Sequence, residues 1–272
     1  MILFDFSNYD QLIPLVANSL IAGALLAIIG GLIGTFVMTR DMSFAVHGIS
    51  ELSFAGAAVA LLLGANVVFG SVIGSLLAAA IIGALGAKAK ERNSIVAVLM
   101  PAGLGLGILA LALYNGRAAN KFGLLTGQIV AVDDPQLMWL ASICIFILAV
   151  LVVVWRPLNF ASLDADVAAA RGVPTRALSV VFMILLGLAV AASVQVVGAL
   201  LVLSLLVTPA AAALRVSRSP IFTPLLSVAF ALVSVIGGIL LALGAGLPIS
   251  PYVTTISFLI YVGCRVVERV RK

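Results

Sequence analysis

The sequence predicts an all-α polytopic membrane protein with about nine transmembrane helices. Of its 272 residues, 64% are hydrophobic and only 9% are charged, and the mean hydropathy is +1.31. Soluble domains are about 45–50% apolar and about 25% charged. This contrast excludes a soluble enzyme, a disordered chain and, despite a net charge of +5, a nucleic-acid binder. We therefore expect a single transmembrane domain over residues 1–272 with the lipid bilayer as a partner.

A helix that crosses a bilayer needs roughly 20 mainly apolar residues. Dividing the chain at its charged and Pro/Gly-rich points predicts nine such spans, with eight as the alternative. The nine spans are Leu12–Met38, Met42–Gly64, Val67–Ala87, Ile95–Tyr114, Gln136–Trp155, Ala177–Val196, Val197–Leu214, Pro224–Ala245 and Pro251–Val267. The apolar stretch from Ala177 to Leu214 is too long for one straight helix, and we place its break between Gln195 and Gly198.

The basic residues predict the orientation of these spans. With the N-terminus outside and nine spans, Arg117 and Lys121 are the only two of the 15 basic residues that fall outside. Inside loops of membrane proteins carry an excess of Lys and Arg. We therefore expect the C-terminus inside, whereas an eight-span chain would need one inside loop moved or one apolar stretch re-entrant.

An ionisable pair lies within the second span. Glu51 is about 13 Å along this span at the rise of an α-helix, near the middle of a bilayer, and His47, the single histidine, precedes it by four residues. That spacing places both side chains on one helical face. Buried ionisable groups in membranes mark ion paths or paired partners. An imidazole and a carboxylate make half a site for zinc, manganese or iron, and a structural pair joining two helices is the alternative.

Three further polar residues are candidates for lining a pore: Ser43, Ser50 and Gln195. Small residues around the pair equally predict close helix packing, and Gln195 equally predicts a hydrogen bond between helices.

The inside connection WRPLNFASLDADVAAARGVPTRA contains a predicted short helix, Leu163 to Arg171. Ser162 precedes two acidic residues in the first turn, which favours a helix start there. Gly172 and Pro174 end it. Because so short a helix is not stable alone in water, we expect it to dock on the bundle or on a partner, with an ordinary connector as the alternative.

Four motifs in order resemble the permease subunits of ATP-binding-cassette importers for zinc, manganese or iron. They are RDMSFAVHGISELSFAGAAVALLLG (Arg40–Gly64), LLTGQIVAVDDPQL (Leu124–Leu137), LDADVAAARGVP (Leu163–Pro174) and VQVVGALLVLSLLVTPAAAALR (Val194–Arg215). In the first motif the family pattern has Asp and then His four residues later. This chain has His47 and then Glu51, so the two ligand types are kept in reverse order.

The resemblance implies a permease in the bacterial plasma membrane that is not itself an enzyme. It implies a homodimer that forms the pore, two cytoplasmic ATPase subunits and an external metal-binding protein, with a transported metal and no permanently bound cofactor. His47 and Glu51 then become transient metal ligands, with zinc as the first choice. The ATPases would grip a coupling helix over residues 163–172, and the residues assigned to this loop are Leu163, Asp164, Asp166, Ala169, Arg171, Gly172 and Pro174.

Two rival functions remain from other classes. A proton-coupled secondary transporter for divalent cations would use the same pair, but the chain has one clear intramembrane acid and no obvious inverted halves. A membrane-embedded enzyme would need a catalytic set, and the sequence has no HExxH or GxSxG motif. It also has no GxxxxGK[ST] phosphate loop, so ATP hydrolysis must belong to another subunit.

Overall fold

The computed structural model describes residues 9–86, 89–116, 132–245 and 249–271, and these ranges are helical without strands. The chain also forms a single turn of 3-10 helix at Ala199–Leu201. The helices are α1 (Tyr9–Leu15), α2 (Ala17–Thr39), α3 (Ser43–Leu62), α4 (Val67–Leu85), α5 (Ala89–Leu113), α6 (Asp134–Leu163), α7 (Ala165–Ala170), α8 (Thr175–Val197), α9 (Val202–Leu206), α10 (Thr208–Val216), α11 (Phe222–Ala245) and α12 (Ile249–Val270).

Eight of these helices are long and apolar enough to span a membrane: α2, α3, α4, α5, α6, α8, α11 and α12. In the described part of the chain, the predicted count of nine spans is therefore not confirmed. The difference lies at the predicted span Val197–Leu214, which is not one helix. Gly198 has φ +84°, a conformation that glycine adopts without steric cost, and the chain then forms the 3-10 turn, α9 and α10. The helix break at Gly198 lies at the end of the stretch Gln195 to Gly198, in which the sequence placed it.

Two other predicted boundaries differ from the structure. The first span is preceded by a separate short helix, α1, which contains Pro14. The fifth span continues to Leu163, two turns beyond the predicted end at Trp155 and through Pro157. Apolar runs mark the membrane-crossing part of a helix, whereas its polar extension depends on packing that hydropathy does not report.

The 3-10 turn, α9 and α10 together form a broken segment, Ala199–Val216, which runs beside α2 in the same direction. Gly30 of α2 lies against Leu205, and a Cβ at Gly34 would lie 3.2 Å from the Cβ of Ala210. On another side, α11 runs against α2 in the opposite direction. Small residues allow helices in lipid to approach this closely. Helix α2 is therefore held between the broken segment and α11, and it also packs against α6 and α8.

Helix α3 is held between α4 and α5 by glycine contacts. Gly56 of α3 meets the backbone of α4 at Gly70. From α5, Val96 lies against Gly48, and a Cβ at Gly103 would lie 3.0 Å from the carbonyl carbon of Glu51. The order of these contacts shows that α5 runs parallel to α3. The helix that carries His47 and Glu51 is thus fixed along its length by two neighbours.

The Gly56 contact predicts a stability difference between two glycine variants. Gly56→Ala adds a Cβ that overlaps the carbonyl oxygen of Gly70, and such overpacking costs about 1–3 kcal/mol. We expect a lower thermal unfolding midpoint for the purified protein. Gly105→Ala is the control, because a Cβ there has nothing within 4 Å. Equal midpoints for the two variants would contradict the close packing of α3 on α4.

Candidate functional site

His47 and Glu51 lie on the second and third turns of α3, as the i, i+4 spacing predicts. Nε2 of His47 is 3.8 Å from Oε1 of Glu51, which is too long for a hydrogen bond. The imidazole is 26% exposed, whereas the carboxylate is 5% exposed. Nδ1 of His47 and Oε2 of Glu51 are buried and have no hydrogen-bond partner in the part of the chain that the structure describes. Both groups therefore retain coordinating capacity.

Part of the surface of α3 is exposed in the single chain. Besides His47, Phe44 is 64% exposed and Val59 is 41% exposed, whereas Glu51 and Ala55 between them are buried at 4% and 7%. The other sides are covered by α4, α5, α8 and α9. The imidazole thus borders an open face, and the carboxylate lies just beneath it. A ligand that approaches this face meets the imidazole before the carboxylate.

A single chain offers two ligands at this position. Among residues 9–86, 89–116, 132–245 and 249–271, no group of three or more His, Cys, Asp or Glu side chains is placed to hold a metal. Zinc sites in proteins are usually four-coordinate. The two side chains are half the number of ligands that such a site needs.

Each of the three candidate pore-lining residues makes a hydrogen bond within the described chain. The Ser43 hydroxyl donates to Sδ of Met38 at 3.3 Å. Ser50 is fully buried, and its hydroxyl donates to the His47 carbonyl at 2.8 Å. Gln195 lies near the end of α8 and donates from Nε2 to the Val67 carbonyl at the start of α4. Its amide therefore bridges two helices, remote from the pair.

The predicted coupling helix is present with different bounds. Ser162 belongs to α6, where its hydroxyl donates to the Leu158 carbonyl, so it does not begin the new helix. Asp164 has extended backbone angles, and its carboxylate accepts from the N–H groups of Asp166 and Val167. The helix therefore covers Ala165–Ala170 instead of Leu163 to Arg171. Aspartate competes well with serine as a cap, and Ser162 is still part of α6.

Two hydrogen bonds end α7 as the sequence predicts. The Gly172 N–H donates to the Ala169 carbonyl and the Val173 N–H donates to the Ala168 carbonyl, with Gly172 at φ +82°. This is the pattern of a Schellman motif, which needs a left-handed residue and favours glycine. Ala168 is fully buried, and the other predicted loop residues are exposed. The helix is thus anchored on one side and open on the other.

The turn between α2 and α3 contains a cluster that the sequence did not reveal. Arg92 of α5 donates from Nη2 to the carbonyls of Arg40 at 3.1 Å and Asp41 at 3.0 Å. Arg40 in turn donates to the Ser179 hydroxyl of α8 at 3.4 Å and lies 5.1 Å above the ring of Phe182. The only local signal was an arginine placed directly after a long apolar helix.

The turn brings the cations Arg40 and Arg92 together beside the acid Asp41. Burial lowers the pKa of the Arg40 guanidinium below its ordinary value, and the charge of Arg92 lowers it further. Nη1 of Arg40 and Nε of Arg92 are buried without a hydrogen-bond partner in the described chain. Two cations are therefore held close together by contacts to carbonyls, a hydroxyl and a ring.

Comparisons with known proteins give a consistent result. The model of a family described as the ABC 3 transport family matches residues 12–268. The manganese transport system membrane protein MntC of Halalkalibacterium halodurans is 31% identical over 235 residues, which are 85% of this chain and 80% of that protein. The high-affinity zinc uptake system membrane protein ZnuB of Haemophilus influenzae is 26% identical over 82% of this chain and 86% of its own.

The fold is also shared with a solved structure. A structure of PsaBC from Streptococcus pneumoniae in complex with Fab has a TM-score of 0.87 at 22% identity, covering 98% of this chain and 100% of that chain. This likeness shows the fold. Of the four quoted motifs, Leu124–Leu137 lies partly outside the described residues, at 124–131.

The Asp164 cap predicts how α7 responds to substitution. Asp164→Ala removes the side chain that accepts from two backbone N–H groups, and loss of an N-cap costs about 1 kcal/mol. We expect faster hydrogen exchange of the backbone amides in α7, measured by mass spectrometry on the purified protein. Asp164→Asn keeps a capping oxygen and serves as the control. Equal exchange in the two variants would contradict the capping role.

Proposed function

The chain belongs to the ABC 3 transport family, and we propose that it forms the metal-conducting pore of an importer through the His47–Glu51 pair. It is a metal-ion permease of the ATP-binding-cassette class and a multi-pass protein of the bacterial plasma membrane. It is not an enzyme, and ATP hydrolysis belongs to a separate subunit. Nothing in the structure or the comparisons favours proton-coupled secondary transport.

The observation that carries this proposal is that His47 and Glu51 each contain a polar atom without a partner, while the imidazole of the pair is partly exposed. The buried nitrogen of His47 and the buried oxygen of Glu51 have no partner among the described residues, although intramembrane ionisable groups are costly unless they are paired or used. A pair kept only for packing would hydrogen-bond, and 3.8 Å is too long for that. A passing cation would give both side chains a partner.

We place a second copy of the chain against the open side of α3. An imidazole that is 26% exposed at membrane depth is poorly placed against lipid tails, because polar side chains there face the bundle interior, a cavity or a partner. A homodimer about this face would bring together two histidines and two glutamates. Four nitrogen and oxygen ligands suit a four-coordinate cation, and because none is thiolate the ion can leave again.

Zinc is the first candidate for the transported metal, since it accepts both ligand types in four-coordinate sites. Manganese is the second candidate, because the relative at 31% identity is a manganese system, while the zinc system is at 26%. Either ion would be cargo that passes through the pore and not a resident cofactor. An external binding protein would deliver it on the predicted outer face.

The predicted inner face provides the connection to the ATPases. Residues 163–172 present Leu163, the last residue of α6, at 77% exposure and Val167 of α7 at 47% exposure, beside the exposed Asp166 and Arg171. An apolar ridge with flanking charges on a short anchored helix suits insertion into a cleft of a partner protein. We propose that residues 163–172 are the coupling helix of this single transmembrane domain and that each copy engages one of two ATPase subunits.

The first test is metal uptake into proteoliposomes that contain the permease, its ATPase and its binding protein. With His47→Ala or Glu51→Ala we expect uptake to fall at least about 10- to 100-fold, the loss usual even for residues that only support metal ligands. The amount of permease in the membrane should stay near the wild-type amount. Radiolabelled zinc, manganese and iron are supplied separately, so that the cargo is identified in the same assay.

Glu268→Gln is the matched control, because this carboxylate pairs with Arg215 at 3.4 Å, at the end of α12 and away from α3. We expect its uptake to equal that of the wild type. Full uptake by Glu51→Ala would remove the metal-path proposal, and uptake of manganese alone would replace zinc as the cargo.

The second test concerns the coupling helix. Gly172→Ala forces a side chain into a φ of +82°, at a cost of about 1–2 kcal/mol, and should shift α7 against α8. We expect more ATP hydrolysed per metal ion transported, with binding-protein-stimulated hydrolysis retained. Gly64→Ala imposes the same strain at φ +67° in the α3–α4 turn and is the control. An unchanged ratio in Gly172→Ala would count against a coupling role for this segment.

A further inference from the structure

We infer that Arg40 is a positioning residue that connects the coupling helix α7 to the metal half-site on α3, an inference that rests on the proposed function. The residue touches neither the metal ligands nor the proposed ATPase surface. Its side chain contacts the helix that follows α7, and its backbone precedes the helix that carries His47 and Glu51. A displacement at either end would therefore reach the other through this residue.

The side-chain contacts lie on the first turns of α8. Arg40 donates to the Ser179 hydroxyl at 3.4 Å, and its guanidinium carbon is 5.1 Å from the centre of the Phe182 ring. Phe182 is 1% exposed, and its ring packs at 6.1 Å against Phe36 of α2. A guanidinium over an aromatic face is an attractive arrangement. Helix α8 begins at Thr175, directly after the Gly172 turn that ends α7, so a movement of α7 is passed to these turns.

The backbone contacts lie on the side of the half-site. Arg92 holds the carbonyls of Arg40 and Asp41. Asp41 has a φ of +52°, and the Met42 N–H donates to the Val37 carbonyl at 2.8 Å, so α2 ends in a left-handed turn that aspartate tolerates better than most residues. Helix α3 begins two residues later at Ser43, and His47 is on its second turn. The direction in which α3 leaves the turn therefore depends on these hydrogen bonds.

Contacts with α5 continue along α3 beyond the turn. C-terminal to Arg92 in α5, Val96 lies against Gly48, and Gly103 lies against the backbone of Glu51. Because the two helices are parallel and in close contact, a shift of the turn moves α3 and α5 together. The half-site is then displaced as part of a rigid pair of helices and is not bent locally.

The contacts of Arg40 and Arg92 form a junction between helices that is able to rearrange. Nη1 of Arg40 and Nε of Arg92 are buried without partners in the described ranges, although buried donors are nearly always satisfied. Free donors allow the two guanidinium groups to exchange partners with no further desolvation. A fully satisfied contact would instead resist rearrangement. Transport needs a junction with two arrangements, one for each state of the ATPases.

The test is the number of ATP molecules hydrolysed per metal ion transported, measured in proteoliposomes with the ATPase, the binding protein and radiolabelled zinc or manganese. For Arg40→Gln we expect this ratio to rise by about 5-fold or more, the lower end of typical allosteric couplings. Hydrolysis stimulated by the binding protein should remain. A loss of fold would lower both activities together, so the ratio separates uncoupling from instability.

Two further variants test the same contact. Arg40→Lys keeps the charge but lacks the planar group that can stack on Phe182 and reach Ser179 at once, and we expect an intermediate ratio. Phe182→Leu keeps both arginines and removes the ring, and it should raise the ratio as well. The double variant Arg40→Gln, Phe182→Leu should be no worse than Arg40→Gln, because residues that act through one contact are not additive.

Arg218→Gln is the control, since it removes an exposed arginine in the connection between α10 and α11. We expect its ratio to equal that of the wild type. A wild-type ratio in Arg40→Gln or in Phe182→Leu, or additive effects in the double variant, would overturn the inference and leave the proposed function standing. If the wild-type complex moves no metal at all, the proposed function fails and this inference falls with it.

Discussion

Close backbone contact on both sides of α3 is the constraint on which the rest of the structure depends. A carboxylate at membrane depth cannot be tolerated on a helix that moves freely in lipid, because its surroundings must offset the cost of leaving water. Gly56 and Gly103 allow α4 and α5 to approach so closely that α3 has little freedom to rotate. The pair His47 and Glu51 is therefore presented in one direction. Without that constraint, the same two residues would face lipid for part of the time.

The same packing explains how a displacement at one end of the bundle reaches residues inside it. Helices in such close contact transmit displacement well, because interiors at this density do not absorb strain. Helix α2 is in contact with the broken segment and with α11, and its last residues lead into the turn at Arg40. The His47–Glu51 pair and α7 are thus attached to one structural unit through different helices. The geometry suits a protein in which a movement on one face has to reach the middle of the membrane.

Much of this could be predicted from the sequence, and the failures have identifiable causes. Apolar runs gave the long helices, and the isolated Glu51 in an apolar span drew attention to the pair. Hydropathy could not show that the stretch after Gly198 forms three short pieces, since each piece is as apolar as a continuous helix. Ser162 and Asp164 are both good caps, and the choice depended on where α6 ends. The Arg40 cluster joins residues more than 130 positions apart, and no local pattern reports such a contact.

The proposed division of the site between two chains has a genetic consequence. If each chain supplies one imidazole and one carboxylate to a shared pore, every substitution in α3 is made twice in the assembled dimer. A cell that expresses both a wild-type and an altered copy would contain mixed pores that outnumber the intact ones at equal expression. Alleles changed at His47 or Glu51 should therefore behave as dominant, whereas alleles that prevent folding should be recessive, because an unfolded chain never enters the dimer.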